Sequence, residues 1–399
     1  MVALAMPGVS AATEWVVDSS VRLGLEYNDN IFLTTFTHEP VSGASLSANL
    51  DFGARQETWE MWGDARLVSK RYVDRDDLDT DNVIGNLRYE FRTERSLLAL
   101  KGSYADESIL STETIDPDIG LIQQQTKRTT TNINPAWGWS LTETTQLRLD
   151  YQYVDAQYED GISVNLLDYR QQAVSVTIAE QLAERTSIYA ILSHSLFEVT
   201  SPESQITTNY TSSSRTNTAQ LGVSHDITET LKVSVSGGPR KTTSDEVAKI
   251  CGPFLCPVPI TLSNTSYGSV FKGSLESRLE LTRTTLSFSR AVSPSGSGGE
   301  VETGNLTLAV DRQLTPERLS VRLVAEGYRF KALGTTSSSI DRNYYRLEPA
   351  LRWRWTEDLD VDISYRYMRQ RYVDAPDYAA ANAVYLAFSY RPTRISLSR

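Results

Sequence analysis

Apolar and polar residues alternate along most of the chain, in runs that are long for a β-strand. One run places Leu359, Val361, Ile363, Tyr365 and Tyr367 between the polar residues Asp360, Asp362, Ser364 and Arg366. Successive side chains of a strand point to opposite faces, so this period of two gives the strand one apolar face and one charged face. Similar runs recur from Val21 to Tyr390 and predict an all-β chain.

A short turn that contains Thr and Glu, or at least the acid, separates these runs roughly every 40 residues, which is the spacing of a repeat architecture. The clearest copies are Leu141-Thr142-Glu143-Thr144 and Asp226-Ile227-Thr228-Glu229-Thr230. Looser copies lie near residues 55–58, 92–95, 182–185, 276–278, 314–318 and 355–358. Each repeat therefore holds one short and one long connection between two strands. Such hairpins are typical of outer-membrane barrels.

We predict a transmembrane antiparallel β-barrel. Eight short turns join sixteen strands, and one more strand at each end gives about 18, an even number as in single-chain bacterial barrels. Both termini then lie on the side of the short turns, the periplasm, and the long loops are extracellular. The polar, glycine-rich segments 201–214, 237–264 and 293–304 are expected to be such loops. Pro135, inside a predicted strand, is expected at a bulge or rim, because a closed barrel has no edge strand.

A soluble antiparallel sandwich would show the same alternation, but its strands average about five or six residues. Many runs here persist for about ten residues or more, which matches the 9 to 11 residues of a tilted membrane strand. Aromatic residues also cluster near the predicted strand ends, as in the girdles at membrane interfaces. They are Trp59, Trp62, Trp137, Trp139, Trp353, Trp355 and Tyr385. These features favour the membrane barrel over the sandwich.

Composition fits a barrel that spans the membrane with strands. The chain has 399 residues, a mean hydropathy of -0.33 and no run near the roughly 18 apolar residues of a spanning helix. Its net charge of -11, without a basic cluster, argues against a nucleic-acid partner. No Pro/Gly/Ser linker divides residues 13–399, which we take as one barrel domain. Residues 1–12 resemble the end of a signal peptide that lacks its basic start, the alternative being a disordered apolar tail.

The two cysteines lie close together in Cys251-Gly252-Pro253-Phe254-Leu255-Cys256. In an oxidising envelope, a near pair inside a Gly/Pro loop favours a disulfide between Cys251 and Cys256. A metal site would need further ligands, and none lies nearby in the sequence. We therefore expect neither a metal nor a cofactor.

The first predicted strand ends in Gly24-Leu25-Glu26-Tyr27-Asn28-Asp29-Asn30-Ile31-Phe32, and the last contains Phe388-Ser389-Tyr390-Arg391-Pro392. These segments resemble the outer-membrane β-barrel porins called the beta-barrel porin 2 family, and related barrels associated with exopolysaccharide systems. The resemblance implies a Gram-negative outer-membrane barrel, many of whose relatives are thought to act in exopolysaccharide export. The chain departs from the usual barrel ending, because residues 393–399 follow Tyr390 and the last residue is not aromatic. That leaves open whether the closing strand extends to Leu397.

The polar faces of the predicted strands are the first candidates for function. Charged ladders of this kind set the selectivity of a pore; alternatively, Arg and Glu pairs satisfy one another across strands and stiffen the wall, and the two roles are compatible. The predicted lumen-lining residues are Arg22, Glu26, Arg88, Glu90, Arg148, Asp150, Arg322, Arg346, Glu348, Arg352, Asp360, Asp362 and Arg366.

Two other groups of residues have spacings that could support chemistry. Asp77, Asp79 and Asp81 have the one, three, five spacing of a calcium loop, but Asn82 replaces the glycine and Arg88 replaces the bidentate acid. A hydrated surface loop is therefore favoured. His194 precedes Ser195, but the two side chains of neighbouring strand residues point to opposite faces. We accordingly predict that the protein is not an enzyme.

The function predicted from the sequence is a porin-like outer-membrane channel, serving as a conduit or accessory for exopolysaccharide export. The first alternative is a structural barrel with a plugged lumen, whose outer loops bind surface polymer or envelope partners. The second is a general diffusion porin for small solutes. The expected partners are outer-membrane lipid, lipopolysaccharide, and polysaccharide or periplasmic export components.

Overall fold

The computed structural model describes residues 13–35, 38–109, 126–160, 166–200, 209–249, 260–295, 299–333, 341–373 and 376–398. These residues form one antiparallel sheet. Its strands in chain order, β1 to β19, are Glu14–Asn28, Val41–Arg55, Trp59–Tyr72, Thr80–Arg92, Ser96–Ser108, Lys127–Ser140, Thr145–Tyr158, Tyr169–Ala183, Thr186–Thr200, Asn209–Asp226, Leu231–Lys249, Ile260–Arg278, Thr282–Ser295, Gly299–Thr315, Leu319–Leu333, Arg342–Arg354, Leu359–Tyr372, Ala379–Tyr390 and Ile395–Ser398.

The sheet closes into a barrel because each strand pairs with the next and β1 pairs with the end of the chain. Val21 opposes Tyr390 on β18, and Glu14 opposes Ser398 on β19. The short β19 therefore continues the closing strand after an interruption at 391–394 that contains Pro392. The predicted closed, antiparallel barrel of about 18 strands is confirmed, and its closing strand does continue beyond Tyr390.

Alternate side chains divide the wall into two faces. The outer face exposes large apolar residues over most of its circumference, among them Leu23 on β1, Leu67 on β3 and Leu192 on β9. Cross-strand pairs preserve the division, since Leu23 opposes Leu46 while its neighbour Arg22 opposes Ser47. The apolar residues lie outside and the polar residues inside, the reverse of a soluble protein. This is the arrangement of a wall surrounded by hydrocarbon.

The repeated Thr turns form one end of the barrel, here called the short-turn end. In the turn after β6, Thr142 Oγ1 accepts hydrogen bonds from the backbone N–H of Thr144 (3.2 Å) and Thr145 (2.8 Å). Thr356 accepts from Leu359 N–H in the same way (3.1 Å). The threonine thus closes the turn locally, because its hydroxyl satisfies backbone donors that the ladder leaves free.

The tryptophans mark the same end. Trp137 stacks on Trp139 (centroids 5.8 Å apart) and Trp353 stacks on Trp355 (5.9 Å), all exposed on the outer face near short turns. Amphipathic rings at this height fit the boundary between hydrocarbon and headgroups. Two aromatic residues expected in the girdle lie instead on the inner face. Trp62 opposes Arg88, and Tyr385 opposes Glu26.

The other end, here called the long-loop end, is more ordered than its polar composition predicts. The segments 201–214, 237–264 and 293–304 were expected to be loops, but β10 starts at Asn209, β11 runs to Lys249, β12 starts at Ile260 and β13 runs to Ser295. Serine and threonine dominate these segments and still pair in ladders. The one helix of the described residues is the 3₁₀ turn Asp76–Leu78, and no helix there is long and apolar enough to span a membrane.

Candidate functional site: the barrel lumen

The inner face carries a belt of alternating charges across β15 to β17. Arg346 lies between Glu326 (3.1 Å) and Glu348 (3.8 Å), and Arg366 contacts the other side of Glu348 (2.7 Å). The guanidinium of Arg366 also covers the ring of Tyr385 at 4.7 Å. Each charge has an opposite charge beside it, so the belt is held rigidly.

The belt continues beyond the closing seam of the barrel. Glu26 on β1 opposes Tyr385 on β18, and its carboxylate accepts a hydrogen bond from the Tyr72 hydroxyl (2.5 Å). Lys70 approaches the same carboxylate at 3.7 Å. Five neighbouring strands, β15 to β18 and β1, therefore carry polar side chains next to one another on the inner face.

Nearer the short-turn end, the inner face is more open to solvent. Asp362 contacts Arg352 (2.7 Å) and lies 4.0 Å from Arg22, while Asp360 is buried between Arg354 and Arg391. The side chains of Arg22 and Arg352 remain 44% and 54% exposed. They line a concavity of about 370 Å³ whose other charged residues include Asp18, Asp51, Asp64 and Arg66.

The remaining predicted lumen residues form local pairs on the inner face. Glu90 is buried between Arg88 and Arg92, Arg148 contacts Asp150 at 2.8 Å, and Arg322 lies 3.6 Å from Asp311. All thirteen predicted side chains therefore lie on the face opposite the exposed apolar one. Each has an ion pair or a charged hydrogen bond, so they build a wall of paired charges.

Three apolar clusters lie inside the barrel at the long-loop end. In the first, Leu33 of the β1–β2 connection packs against Phe330, Tyr344, Ala379 and Ala381. Asn30, which is 1% exposed, holds this connection by donating to the carbonyls of Thr34 (2.9 Å) and Ala380 (3.0 Å). Asn30 thus folds the first connection inward. The small inward alanines of β18 leave room for it.

The other two clusters repeat this arrangement at different places in the mouth. Leu78 of the 3₁₀ turn packs with Val41 and Tyr72, and Leu166 packs with Phe197 and Val199. Loop residues therefore fill the inside of the mouth where the strands alone would leave space. The lumen is consequently narrowed at the long-loop end.

A fourth obstruction is the outer part of the β13–β14 hairpin. Pairing between β12 and β13 stops at Phe271 and Arg290, whereas β13 and β14 remain paired to Ser295 and Gly299. The hairpin separates from β12 at that point, while β14 stays paired with β15 up to Glu300 and Leu333. Glu300 of β14 accepts hydrogen bonds from Ser214 (2.6 Å) and Thr216 (3.1 Å) on the inner face of β10.

Charges fix the hairpin in this position. Glu302 lies 2.6 Å from Arg290 and 3.4 Å from Arg240, and the Arg240 side chain is only 2% exposed. Glu300 is itself 3% exposed. The segment 293–304 was predicted to be an outer loop; its described residues instead line and narrow the lumen. Neither Arg240 nor the two glutamates was predicted as a site residue, because each lay in a segment that resembled a loop.

The other candidate sites do not assemble a reactive centre in the described residues. Asp77 is paired with Arg75 (2.8 Å), whose guanidinium holds the pKa of Asp77 below its usual range, and Asp81 is paired with Arg71 (3.0 Å). His194 faces outward beside Asn217 (Nδ1 to Oδ1 2.8 Å), and no described group of three His, Cys, Asp or Glu residues is arranged to hold a metal. Cys251, Cys256 and residues 1–12 lie outside the described residues.

A closed wall with an apolar exterior, an aromatic girdle and a charged interior defines a transmembrane β-barrel of the outer-membrane type. No protein-family model and no curated protein sequence matches the chain. Among solved structures it is similar to the ferric-catecholate import receptor Fiu from E. coli K12, with 10% identity, a TM-score of 0.49, and 94% of this chain and 81% of that chain covered.

The chain is also similar to OccAB3 from Acinetobacter baumannii and to the outer-membrane protein OpdK from Pseudomonas aeruginosa. Each match has 11% identity, a TM-score of 0.43, and 96% of this chain and 99% of that chain covered. Similarities at this level carry no conclusion about function.

Proposed function

We propose that the protein is an outer-membrane channel that conducts polar solutes passively through its lumen. The observation that carries the proposal is a gradient along the inner face. Charged side chains such as Arg352 are exposed towards the short-turn end, whereas Arg346, further along the same strand, is buried beneath the narrowed mouth. An interior of about 18 strands has room for water, unlike that of an 8-stranded barrel.

In this proposal the short turns and both termini face the periplasm, and the long loops face outward. Solutes would meet the exposed arginines and aspartates in the wide part and pass a constriction formed by the β1–β2 connection and the β13–β14 hairpin. Paired charges suit a conduit for neutral or mixed-charge solutes, because they leave little net field along the wall.

The finer proposal is a role in exopolysaccharide export. It is supported by the resemblance of residues 24–32 and 388–392 to barrels of exopolysaccharide systems. The inner wall also supplies hydroxyl and amide groups along with aromatic rings such as Tyr385, which are groups that a hydroxyl-rich polymer can contact. Deletion of the gene should lower surface polysaccharide without lowering its synthesis in the cytoplasm. Unchanged surface polysaccharide would favour the general diffusion porin instead.

The second candidate function is a plugged barrel that binds polymer or envelope components through its outer loops. The three apolar clusters in the mouth favour it, because packed apolar side chains exclude water. Single-channel recording in planar bilayers separates the two. The channel proposal predicts discrete conductance steps from the purified protein, and a folded barrel that inserts without any conductance would support the plugged barrel.

A further inference from the structure

Four cations form a patch on the outer face at the long-loop end. Arg329 and Lys331 lie on β15, and Arg369 and Arg371 lie on β17; all four are exposed. Arg329 and Arg371 both oppose Asn343 on β16, so the register aligns them across three adjacent strands. With strands about 4.8 Å apart, the patch is about 10 Å wide. This cationic patch is not used by the lumen.

The patch lies where the apolar part of the outer face ends, on the side of the long-loop end. Its residues are roughly ten or more positions from the short turns, the length that a tilted strand needs to cross the hydrocarbon core. Below it, the outer face carries apolar and aromatic residues, including Leu323, Leu347 and Tyr365. Beside it, the Arg369 guanidinium covers the ring of Tyr378 at 3.9 Å. Lipid headgroups lie at this height when a bilayer surrounds the apolar part of the outer face.

Arg329, Lys331 and Arg369 differ in ion pairing from the other exposed arginines of the outer face at this height. Elsewhere each exposed arginine has an acid beside it: Arg71 has Asp81 (3.0 Å), Arg170 has Asp155 (2.8 Å) and Arg215 has Asp245 (2.8 Å). Among the described residues, no carboxylate lies within ion-pair distance of Arg329, Lys331 or Arg369. The cross-strand neighbour of Lys331 is Glu302, whose carboxylate is held by Arg240 and Arg290. Within the part of the chain that the structure describes, the nearby acids Asp341 and Asp377 form no ion pair with Arg329, Lys331 or Arg369.

We propose that the cationic patch binds the phosphate groups of a membrane lipid, and specifically those of a phosphorylated glycolipid in the leaflet at the long-loop end. Cations at headgroup height that lack acidic partners attract anionic lipids, and arginine binds phosphate through several donors at once. The patch spans enough surface for more than one phosphate. The inference rests on the proposed placement of the barrel in the outer membrane.

The test compares two triple variants of the full chain. The patch variant carries Arg329→Gln, Lys331→Gln and Arg369→Gln, and the matched control carries Arg71→Gln, Arg170→Gln and Arg215→Gln. Both remove three outward positive charges at the same height, but only the control charges have acidic partners. Native mass spectrometry of protein in neutral detergent, titrated with lipid A, measures binding, and heat-modifiable migration on a gel checks folding.

Lipid A binding should weaken at least about tenfold in the patch variant and change little in the control. Equal weakening in both variants would overturn the inference, since general electrostatics would then suffice. Equal binding of dephosphorylated lipid A would also overturn it, because acyl contacts alone would explain the complex. If inorganic phosphate displaced lipid A effectively, the natural ligand of the patch would be a free anion and not a lipid. If the triple variant does not fold, the single variant Arg329→Gln can be tested in its place. It should weaken lipid A binding more than the single control variant Arg71→Gln does.

The channel proposal can fail separately from this one. The patch variant should keep the conductance of the parent protein, since none of its three residues faces the lumen. Loss of lipid binding with unchanged conductance fits both proposals. Parent-like lipid binding in the patch variant would overturn the lipid inference alone, and a non-conducting parent protein that binds lipid A would overturn the channel alone.

Discussion

Prolines within the strands leave backbone carbonyls without their ladder donor, and a neighbouring side chain can supply that donor. Pro135, Pro239 and Pro349 lie within strands of a barrel that has no free edge, although proline cannot donate to a ladder. At each, the ladder on one side is interrupted for two positions and resumes in the same register. Pro135 therefore lies neither at a bulge nor at a rim, contrary to expectation. By register it opposes Tyr151, whose carbonyl accepts a hydrogen bond from Asn134 Nδ2 (2.7 Å).

This substitution of a side-chain donor for a backbone donor predicts a coupled pair of mutations. Asn134→Ala should destabilise the barrel by about 1 to 2 kcal/mol, because it leaves a carbonyl without its donor. In a Pro135→Val background the restored backbone N–H of residue 135 can donate to the Tyr151 carbonyl. Asn134→Ala should therefore lower the free energy of unfolding by less in that background. Urea unfolding in lipid vesicles measures both. Asn132→Ala is the control, since Asn132 Oδ1 accepts no hydrogen bond from the described residues. If Asn134→Ala cost the same free energy in the parent protein and in the Pro135→Val background, Asn134 would not be replacing the missing backbone donor.

Burial decides which charge pairs of the lumen matter for stability. Arg346 and Glu326 have side chains 9% and 10% exposed, whereas Arg352 is 54% exposed beside Asp362. Arg346→Met should therefore cost about 3 to 5 kcal/mol, because it leaves a buried carboxylate unpaired. Arg352→Met should cost at most about 1 kcal/mol. The double change Arg346→Met with Glu326→Leu should recover most of the unfolding free energy that Arg346→Met loses. Urea unfolding of the three variants measures this, and a double variant as unstable as Arg346→Met would contradict the prediction.

At the scale of elements, alternation in the sequence predicts strands and faces well but does not predict how a hairpin separates from the strand beside it. The period of two placed all thirteen predicted charges on one face, because the apolar face of each strand fixes its register and a slip by one residue would turn that face inward. The fold of β13 and β14 depends on Glu300 meeting Ser214, 86 positions earlier in the chain. A Ser/Gly-rich segment carries no local signal for such a contact, so it resembled an exposed loop.

The inward position of the hairpin predicts a measurable effect on current. Glu300→Ala with Glu302→Ala removes the contacts to Ser214, Thr216 and Arg240, so the hairpin should spend more time away from the inner wall of β10 and β11. Single-channel conductance or open probability should rise severalfold. Glu276→Ala is the control, because it breaks exposed pairs with Arg278 and Arg283 near a short turn. Currents that match the parent in the double variant would mean that the hairpin does not limit flow.

At the scale of the whole molecule, the net charge of -11 and the charges of the lumen need not act together. An ion inside the wide part meets mainly the inward side chains, because low-dielectric walls focus the field of nearby charges. There, the exposed guanidinium groups of Arg22 and Arg352 face a wall that also holds Asp18, Asp51 and Asp64. The balance of these few groups, and not the total charge, should set ion selectivity.

Removal of two of these arginines should accordingly shift selectivity towards cations. Arg22→Gln with Arg352→Gln leaves Asp362 without its guanidinium contacts and leaves the three wall aspartates less compensated. The reversal potential in a salt gradient should move in the cation-selective direction. Arg312→Gln removes one positive charge from the outer face near a short turn, where Arg312 opposes Val321, and should leave the potential unchanged. A shift of similar size in both variants would assign selectivity to surface charge, and no shift in either would mean that permeating ions do not pass Arg22 and Arg352.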